Sequence, residues 1–311
     1  MSFKSAEELL ALCRSSACPL SEIMIRRECS EGETDRDTVI AKMTHALEIM
    51  KQSAGSAIAA PKKSMGGLIG GEAKKIIDHA GSEKSACGPM MARGIAYAMG
   101  VLEVNAGMGL IVAAPTAGSS GVVPGVLLTL QDEYGFTDSQ LVSALFNAAA
   151  VGYLAMRNAT VAGAVGGCQA EVGVASAMAA SAAVELLGGT PGQSMSAASM
   201  VLMNMLGLVC DPVNGLVEYP CQNRNAAGVA NALAAAQVAL SGVNQLIPFD
   251  EMLSIMFRTG KGIPAELRET ALGGCALSPS ACAGCTSGDI SERFEERRNE
   301  INRVLNGTGW K

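Results

Sequence analysis

The chain is poor in histidine and in aromatic residues. Its 311 residues include only two histidines, His45 and His79, and only 4% are aromatic. A zinc site built on imidazoles or a Ser-His-Asp triad would have to use one of these two residues, and neither lies beside a motif for such a site. His45 falls among apolar residues at helical spacing, so we expect it to be partly buried, and we expect His79 to face solvent. The main chemistry is therefore expected to use other residues.

Charged residues are also scarce, at 17%, and the net charge is −6. Without a basic face, nucleic acid is not an expected partner. No apolar run reaches the roughly 20 residues that cross a bilayer, because polar side chains interrupt the richest stretch, 161–187, so we expect no membrane partner. No basic and apolar leader opens the chain. The ten cysteines are then expected to be free, catalytic or metal-bound in a reducing, cytoplasmic compartment.

Strand signals are scarce, whereas helical spacing of apolar residues recurs along the chain. The pattern predicts an all-α fold, a single compact helical domain over residues 1–311, with 36 glycines and many alanines at helix contacts. It also predicts a charged surface helix near the end, at 289–305. The other predicted helices are 6–15, 34–52, 72–80, 89–104, 139–151, 171–187, 194–208, 226–246 and 249–259.

Three of the cysteines lie in short polar breaks of this apolar sequence. Cys168 follows Gly-Gly, Cys210 opens Cys-Asp-Pro-Val-Asn-Gly, and Cys221 opens Cys-Gln-Asn-Arg-Asn. Asn223 and Asn225 are candidate caps of the helix predicted from 226, which would place the Cys221 thiol near a helix N-terminus. Three thiolates on a [4Fe-4S] cluster would leave one iron free to act as a Lewis acid. The breaks therefore point to a cofactor.

Two glycine-rich segments, 64–72 and 114–125, are candidate ligand loops. Glycines permit close backbone approach, and successive amides can hold a carboxylate or a phosphate. Each segment is equally compatible with a tight turn, and neither has the pattern of a P-loop. Near the C-terminus, Cys282 and Cys285, with Cys275 nearby, have the spacing of zinc and redox sites.

The cysteine motifs, together with Ser-Met-Gly-Gly at 64–67 and Ala-Pro-Thr-Ala-Gly-Ser-Ser-Gly at 114–121, resemble those of the iron-sulfur-dependent L-serine dehydratases. The resemblance is to the catalytic alpha part and covers most of the chain. It implies an all-helical domain, a [4Fe-4S] cluster held by Cys168, Cys210 and Cys221, and a separate beta subunit as partner. The C-terminal cysteines depart from the simplest family pattern, and one of them is a candidate ligand of the open iron at rest.

The resemblance implies deamination of L-serine to pyruvate and ammonia by β-elimination, with the open iron as Lewis acid. The α-proton base stays open among Lys62, Lys63, Lys74 and His79. Two alternatives remain, a pyridoxal-phosphate lyase using the 118–125 loop and a lysine, and a non-enzymatic iron-sulfur redox sensor. Candidate catalytic residues are Lys62, Lys63, Ser119, Ser120 and Asn225, and candidate substrate-binding residues are Ser64, Gly66, Thr116, Gly118, Ser119, Ser120 and Arg224.

Overall fold

The described residues form helices and no strand. The computed structural model describes residues 2–81, 84–283 and Asn299, and one isolated bridge joins Cys210 to Arg268. The predicted all-α class is confirmed for this part of the chain. Its α-helices are α1 (Ala6–Ser16), α2 (Leu20–Glu31), α3 (Arg36–Ala59), α4 (Glu72–Ala80), α5 (Gly88–Ala106), α6 (Val122–Tyr134), α7 (Asp138–Asn158), α8 (Gly163–Gly166), α9 (Val174–Leu186), α10 (Pro191–Asn204), α11 (Cys221–Leu240), α12 (Phe249–Gly262) and α13 (Pro279–Ala283).

Local sequence sets where several helices begin. Thr137 before α7 and Thr190 before α10 each form a capping box with the glutamine three residues later, which satisfies two otherwise unpaired backbone amides. Helices α2 and α6 were not predicted. α6 follows directly on the glycine-rich 114–121 segment and carries Pro124 in its first turn, a position where the missing N–H of proline costs little.

Helix α9 is the centre of the core. Every residue from Val174 to Val184 is buried, and the helix contacts α6, α7, α10 and α11. Most of these side chains are alanine or serine, so each buries little apolar area. Burial stabilises the fold by about 0.8 kcal/mol per CH₂ group, so each of these residues contributes little by itself. The stability of this centre therefore comes from many close helix contacts rather than from a few large side chains.

A second group of helices packs around α5, which contacts α3, α4, α6 and α11. Where α5 crosses α6, a Cβ atom added to Gly125 would lie 2.8 Å from the Gly94 carbonyl oxygen and 2.9 Å from Val229. Real Cβ atoms do not approach this closely, so glycine is required for the two backbones to meet. The predicted small-residue packing is confirmed at this crossing.

Among the described residues, one helix, α7, is long and apolar enough to cross a membrane by length and composition alone. Two thirds of its most apolar window, 67%, is buried inside the protein, and the helix packs against α2 and α9. That burial is the pattern of a core helix. One such helix is weak evidence for a membrane span.

The predictions about the exposure of the two histidines have different outcomes. The expectation that His45 is partly buried is wrong, because it lies on the solvent face of α3 beside Glu48, with 3.4 Å between Nδ1 and Oε2. His79, in the last turn of α4, is exposed as expected. The predicted helix at 289–305 and Cys285 lie outside the described residues, so the domain limits of 1 and 311 stay predictions.

Candidate metal centre

The three predicted cluster cysteines lie on three separate elements. Cys168 precedes a π-helical segment, Gln169–Gly173, that leads into α9. Cys210 lies in an extended segment, where its amide donates to the Leu267 carbonyl at 2.8 Å. Cys221 is the first residue of α11. All three side chains are buried, and none forms a disulfide.

Two of these sulfur atoms share a small space with a carboxylate. The Sγ atoms of Cys168 and Cys210 and a carboxylate oxygen of Glu171 all lie within 4.8 Å of one another. This group can hold a metal ion, because thiolates and carboxylates are both metal ligands. Cys221 is not a member of the triplet; burial, and after it the charges of Cys168 and Glu171, raise the pKa of its thiol.

Glu171 had no role assigned from the sequence. Thr116 Oγ1 donates to its Oε1 at 2.9 Å, and Cys210 Sγ donates to its Oε2 at 3.7 Å. A Cβ atom added to Gly163 would lie 2.5 Å from Oε2 and 3.0 Å from Cys210 Sγ, so only glycine leaves room for both groups. A carboxylate three residues after Cys168, inside an apolar run, was the signal that sequence reasoning passed over.

Arg224 places a positive charge against the sulfur atoms. Its Nη1 lies 3.5 Å from Cys168 Sγ and donates to the Val209 carbonyl at 2.9 Å, while Nη2 pairs with Asp211 Oδ1 at 2.7 Å. Burial alone would lower the pKa of Arg224, but the charges of Cys168 and Asp211 raise it. The guanidinium therefore stays charged and favours a thiolate at Cys168.

The three thiols differ in acidity. The neighbouring Cys210 thiol lowers the pKa of Cys168 against the effect of burial, with help from Arg224. The Cys168 sulfur, together with burial, raises the pKa of Cys210, and burial raises the pKa of Cys221 to about 12. Of the coupled pair, Cys168 is therefore the first to ionise.

The 114–121 loop lies beside this group and is tied to α11. Asn225 is fully buried, and its amide nitrogen donates to the carbonyls of Gly118 and Cys221 at 2.8 and 2.9 Å, while its oxygen accepts from the Gly121 amide at 3.1 Å. The expectation that Asn223 and Asn225 cap the helix before residue 226 is wrong, because α11 already begins at Cys221. Asn225 instead fixes the loop.

The two predicted serines of this loop are turned inward. Ser119 and Ser120 are fully buried. Ser120 Oγ donates to the Ala117 carbonyl at 2.8 Å, and Ser119 Oγ lies 3.1 Å from Thr116 Oγ1. Both hydroxyls thus stabilise the loop, and Thr116 links it to the carboxylate beside the sulfurs. Whether either serine also contacts a substrate stays a prediction.

The 64–71 loop is held by a second buried carboxylate, Glu218, which had no role assigned from the sequence. Glu218 accepts from Ser64 Oγ at 2.7 Å, from the Gly66 amide at 2.6 Å and from the Leu68 amide at 3.0 Å. It lies three residues before Cys221. The predicted substrate residues Ser64 and Gly66 are therefore connected to the segment that carries the third cysteine.

The predicted lysines lie elsewhere. Lys62 and Lys63 are exposed and line a separate cavity of about 420 Å³, together with Glu103. Glu103 is buried and accepts from the Gly71 and Ala73 amides at 2.8 and 2.9 Å. No described contact joins either lysine to the sulfur atoms, so their role as base stays a prediction.

The chain is similar to known proteins over most of its length. Residues 15–276 match the family model of the serine dehydratase alpha chain. The probable L-serine dehydratase alpha chain of Bacillus subtilis (strain 168) is 44% identical over 89% of this chain and 92% of its own length. The L-serine dehydratase alpha chain of Peptoniphilus asaccharolyticus is 42% identical over 88% and 94%.

Longer relatives match as well. The L-serine dehydratase of Mycobacterium bovis (strain ATCC BAA-935 / AF2122/97) is 36% identical over 89% of this chain but only 61% of its own length. The prediction of an enzyme, a lyase of the serine dehydratase type, is confirmed by these matches. The chain belongs to the serine dehydratase alpha chain family.

Proposed function

We propose that this chain is the catalytic alpha subunit of an iron-sulfur-dependent L-serine dehydratase, which converts L-serine to pyruvate and ammonia. The observation that carries the proposal is that two buried, free cysteines, Cys168 and Cys210, meet beside Glu171 in a chain of this family, with a third buried cysteine, Cys221, at the start of α11. Elimination removes the α-proton and the β-hydroxyl, and the resulting enamine tautomerises to an imine that water hydrolyses to the two products.

The donor set fits a [4Fe-4S] cluster. Cys168, Cys210 and Cys221 would supply three soft sulfur ligands, and the Arg224 charge beside Cys168 offsets the negative charge that such a group brings. When bound, the cluster supplies an electron-poor iron that makes hydroxide a better leaving group. A zinc site that combines these cysteines with imidazoles is less well supported, because both histidines are exposed whereas the three cysteines are buried.

The residues of the chain position and enclose this site. Asn225 holds the 114–121 loop against α11, so that its backbone and Thr116 have one fixed arrangement beside the sulfurs. Glu218 does the same for the loop that carries Ser64 and Gly66. Such fixed surroundings favour orientation of a small zwitterionic substrate, for which Arg224 and the loop amides are our candidate carboxylate partners.

We propose a separate beta polypeptide as partner. The alpha-chain relatives are matched over more than nine tenths of their length, whereas the single-chain enzyme of Mycobacterium bovis is matched over 61%. The remainder of that longer enzyme would correspond to the beta subunit here. The proposal also places the enzyme in the reducing cytoplasm, since all eight cysteines with described side chains are free.

The test is anaerobic purification of the full chain, co-expressed with its beta subunit, followed by counts of iron and sulfide and an assay of pyruvate release from L-serine. We expect about four irons per alpha chain. Replacing Cys168, Cys210 or Cys221 by serine should abolish cluster retention, whereas Cys13→Ser, at a buried thiol of α1, should retain it. Full activity in protein without sulfide would refute the proposal.

The pyridoxal-phosphate alternative is less well supported. Gly121, in its proposed phosphate loop, touches the Ala98 backbone so closely that a side chain could not fit, which gives the glycine a packing role. A borohydride-reducible absorption band would favour that alternative, and cluster absorption without serine-dependent pyruvate release would favour the redox sensor.

A further inference from the structure

One carboxylate at the metal centre has no role in the proposed cysteine ligation. Glu171 lies within 4.8 Å of the Cys168 and Cys210 sulfurs, on the π-helical segment that follows Cys168. A π-turn is wider than an α-turn and is frequent at functional sites. Here it presents the cysteine and the carboxylate to the same small space.

The hydrogen bonds of Glu171 leave one oxygen directed at the sulfurs. Oε1 is fixed by Thr116 at 2.9 Å, while the donor described for Oε2 is the Cys210 thiol at 3.7 Å. A cysteine that binds metal does so as a thiolate and loses its proton. Ligation by Cys210 would therefore remove the donor of Oε2 and leave that oxygen free to bind.

The surroundings of this oxygen are built to keep space for it. Gly163 faces both Oε2 and Cys210 Sγ, and a side chain there would collide with each of them. The carboxylate is thus held by the Thr116 hydroxyl and the Cys210 thiol, with a glycine beside Oε2.

We propose that Glu171 is the oxygen ligand, at rest, of the cluster iron that no cysteine holds. This inference rests on the cluster of the proposed function. A carboxylate is a harder ligand than a thiolate, so it would mark that iron as different from the other three. The rival ligand with a described side chain is Cys275, whose amide donates to Asp211 Oδ2 at 2.6 Å but whose thiol is exposed.

The experiment compares reconstituted wild-type chain with Glu171→Gln, Cys275→Ser and the control Glu185→Gln. Glu185 is a part-buried glutamate at the far end of α9, where it accepts from Asn147 at 2.7 Å. Isotopically labelled iron is introduced selectively at the labile corner and examined by Mössbauer spectroscopy. The second measurement is the rate at which mild oxidation converts each cluster to the [3Fe-4S] form, followed by electron paramagnetic resonance.

We expect Glu171→Gln to retain iron and sulfide but to change the Mössbauer parameters of the labile iron. The variant should also lose that iron at least about 10-fold faster than wild type, because groups that support a metal site have effects of this size. The other two variants should match wild type. Unchanged parameters and loss rate in Glu171→Gln would overturn the inference while leaving the cluster in place, and a change confined to Cys275→Ser would assign the position to sulfur.

If the proposed function itself is wrong, wild type will bind neither iron nor sulfide, and this result is distinct from every outcome above.

A different case is a Glu171→Gln variant that forms no cluster although its circular dichroism matches wild type. Co²⁺ titration of the two apoproteins then decides. At least a 10-fold weaker Co²⁺ affinity would support ligation by the carboxylate, and equal affinities would refute it.

Discussion

Replacing Glu218 by glutamine should loosen the 64–71 loop without unfolding the protein. The carboxylate is 2% exposed and accepts from three donors, on Ser64, Gly66 and Leu68. Glutamine has the same shape but offers one oxygen and one NH₂ group. In one orientation the NH₂ group faces the Leu68 amide, and in the other it faces the Gly66 amide. A clash between two donors is therefore unavoidable.

The size of the effect follows from these contacts. One backbone hydrogen bond is lost and the others lose their charged acceptor, and a hydrogen bond to a charged group contributes about 1.5–3 kcal/mol. We expect the free energy of local opening to fall by about 2–3 kcal/mol. At 1.4 kcal/mol per factor of ten, amide exchange in the loop should become roughly 30- to 140-fold faster.

Hydrogen exchange read by mass spectrometry is the suitable assay, because it resolves the 64–71 peptide from the core. The control is Glu266→Gln, at an exposed glutamate, which should leave exchange unchanged. Faster exchange throughout α9 as well would mean global destabilisation. Wild-type exchange at residues 64–71 in Glu218→Gln would refute the assignment of Glu218 as the anchor of the loop.

Three further substitutions test other contacts of the site and the core. Arg224→Met leaves Asp211 as a buried charge without its cation, so urea unfolding of the apoprotein should show a free energy of unfolding lower by about 3–5 kcal/mol. Arg224→Lys keeps the positive charge and should lose less stability, and equal losses in the two variants would contradict the role of the ion pair. Asn225→Asp turns an acceptor toward the Gly118 carbonyl, and the same assay should show a loss of about 2–4 kcal/mol, whereas a wild-type midpoint would exclude it as an anchor. Burial raises the pKa of Cys13 from 9.0 to about 12, so between these pH values the unfolded chain releases a proton that the folded chain keeps, and stability falls as pH rises. The measurement is the unfolding midpoint of wild type and of Cys13→Ala at several pH values between about 8 and 12. The midpoint should fall less steeply with rising pH in the variant, and parallel curves would argue against Cys13 as the cause.

The sequence predicted the fold class, and it marked two of the three residues that form the candidate metal group, Cys168 and Cys210, because both predictions depend on local pattern. Helical spacing of apolar residues marked most of the helices, and the polar breaks marked Cys168, Cys210 and Cys221 as exceptional. Helix α6 was missed because Gly121 precedes it and its first turn contains Pro124 and Gly125, residues that by propensity favour a loop. Tertiary packing against α5 overrides that preference.

The anchors of the site could not be predicted in the same way. Glu171 and Glu218 interact with residues 55 and 154 positions away, Thr116 and Ser64 respectively, and a single sequence contains no signal for such pairs. The serines of the 114–121 loop have a role in the structure that the sequence did not indicate. Their hydroxyls stabilise the turn, and their substrate role stays a prediction.

The start of α11 explains how loops distant in sequence form one site. Successive side chains on a helix point about 100° apart, so residues of one turn reach different partners. Cys221 is buried, Gln222 donates to Glu103 Oε1 at 3.2 Å, Arg224 contacts Cys168, and Asn225 binds the 114–121 loop.

Glu218 extends the same connection to the 64–71 loop. Residues 218–225 thus contact both glycine-rich loops, the cysteine before α9 and the carboxylate that caps α4. Glu218, Gln222 and Asn225 of this segment are buried and hydrogen-bonded, so a displacement of the segment as a whole would change the contacts with both loops. The two loops and the sulfur atoms are therefore expected to respond together to substitution, as one unit whose geometry is set by a single helical turn.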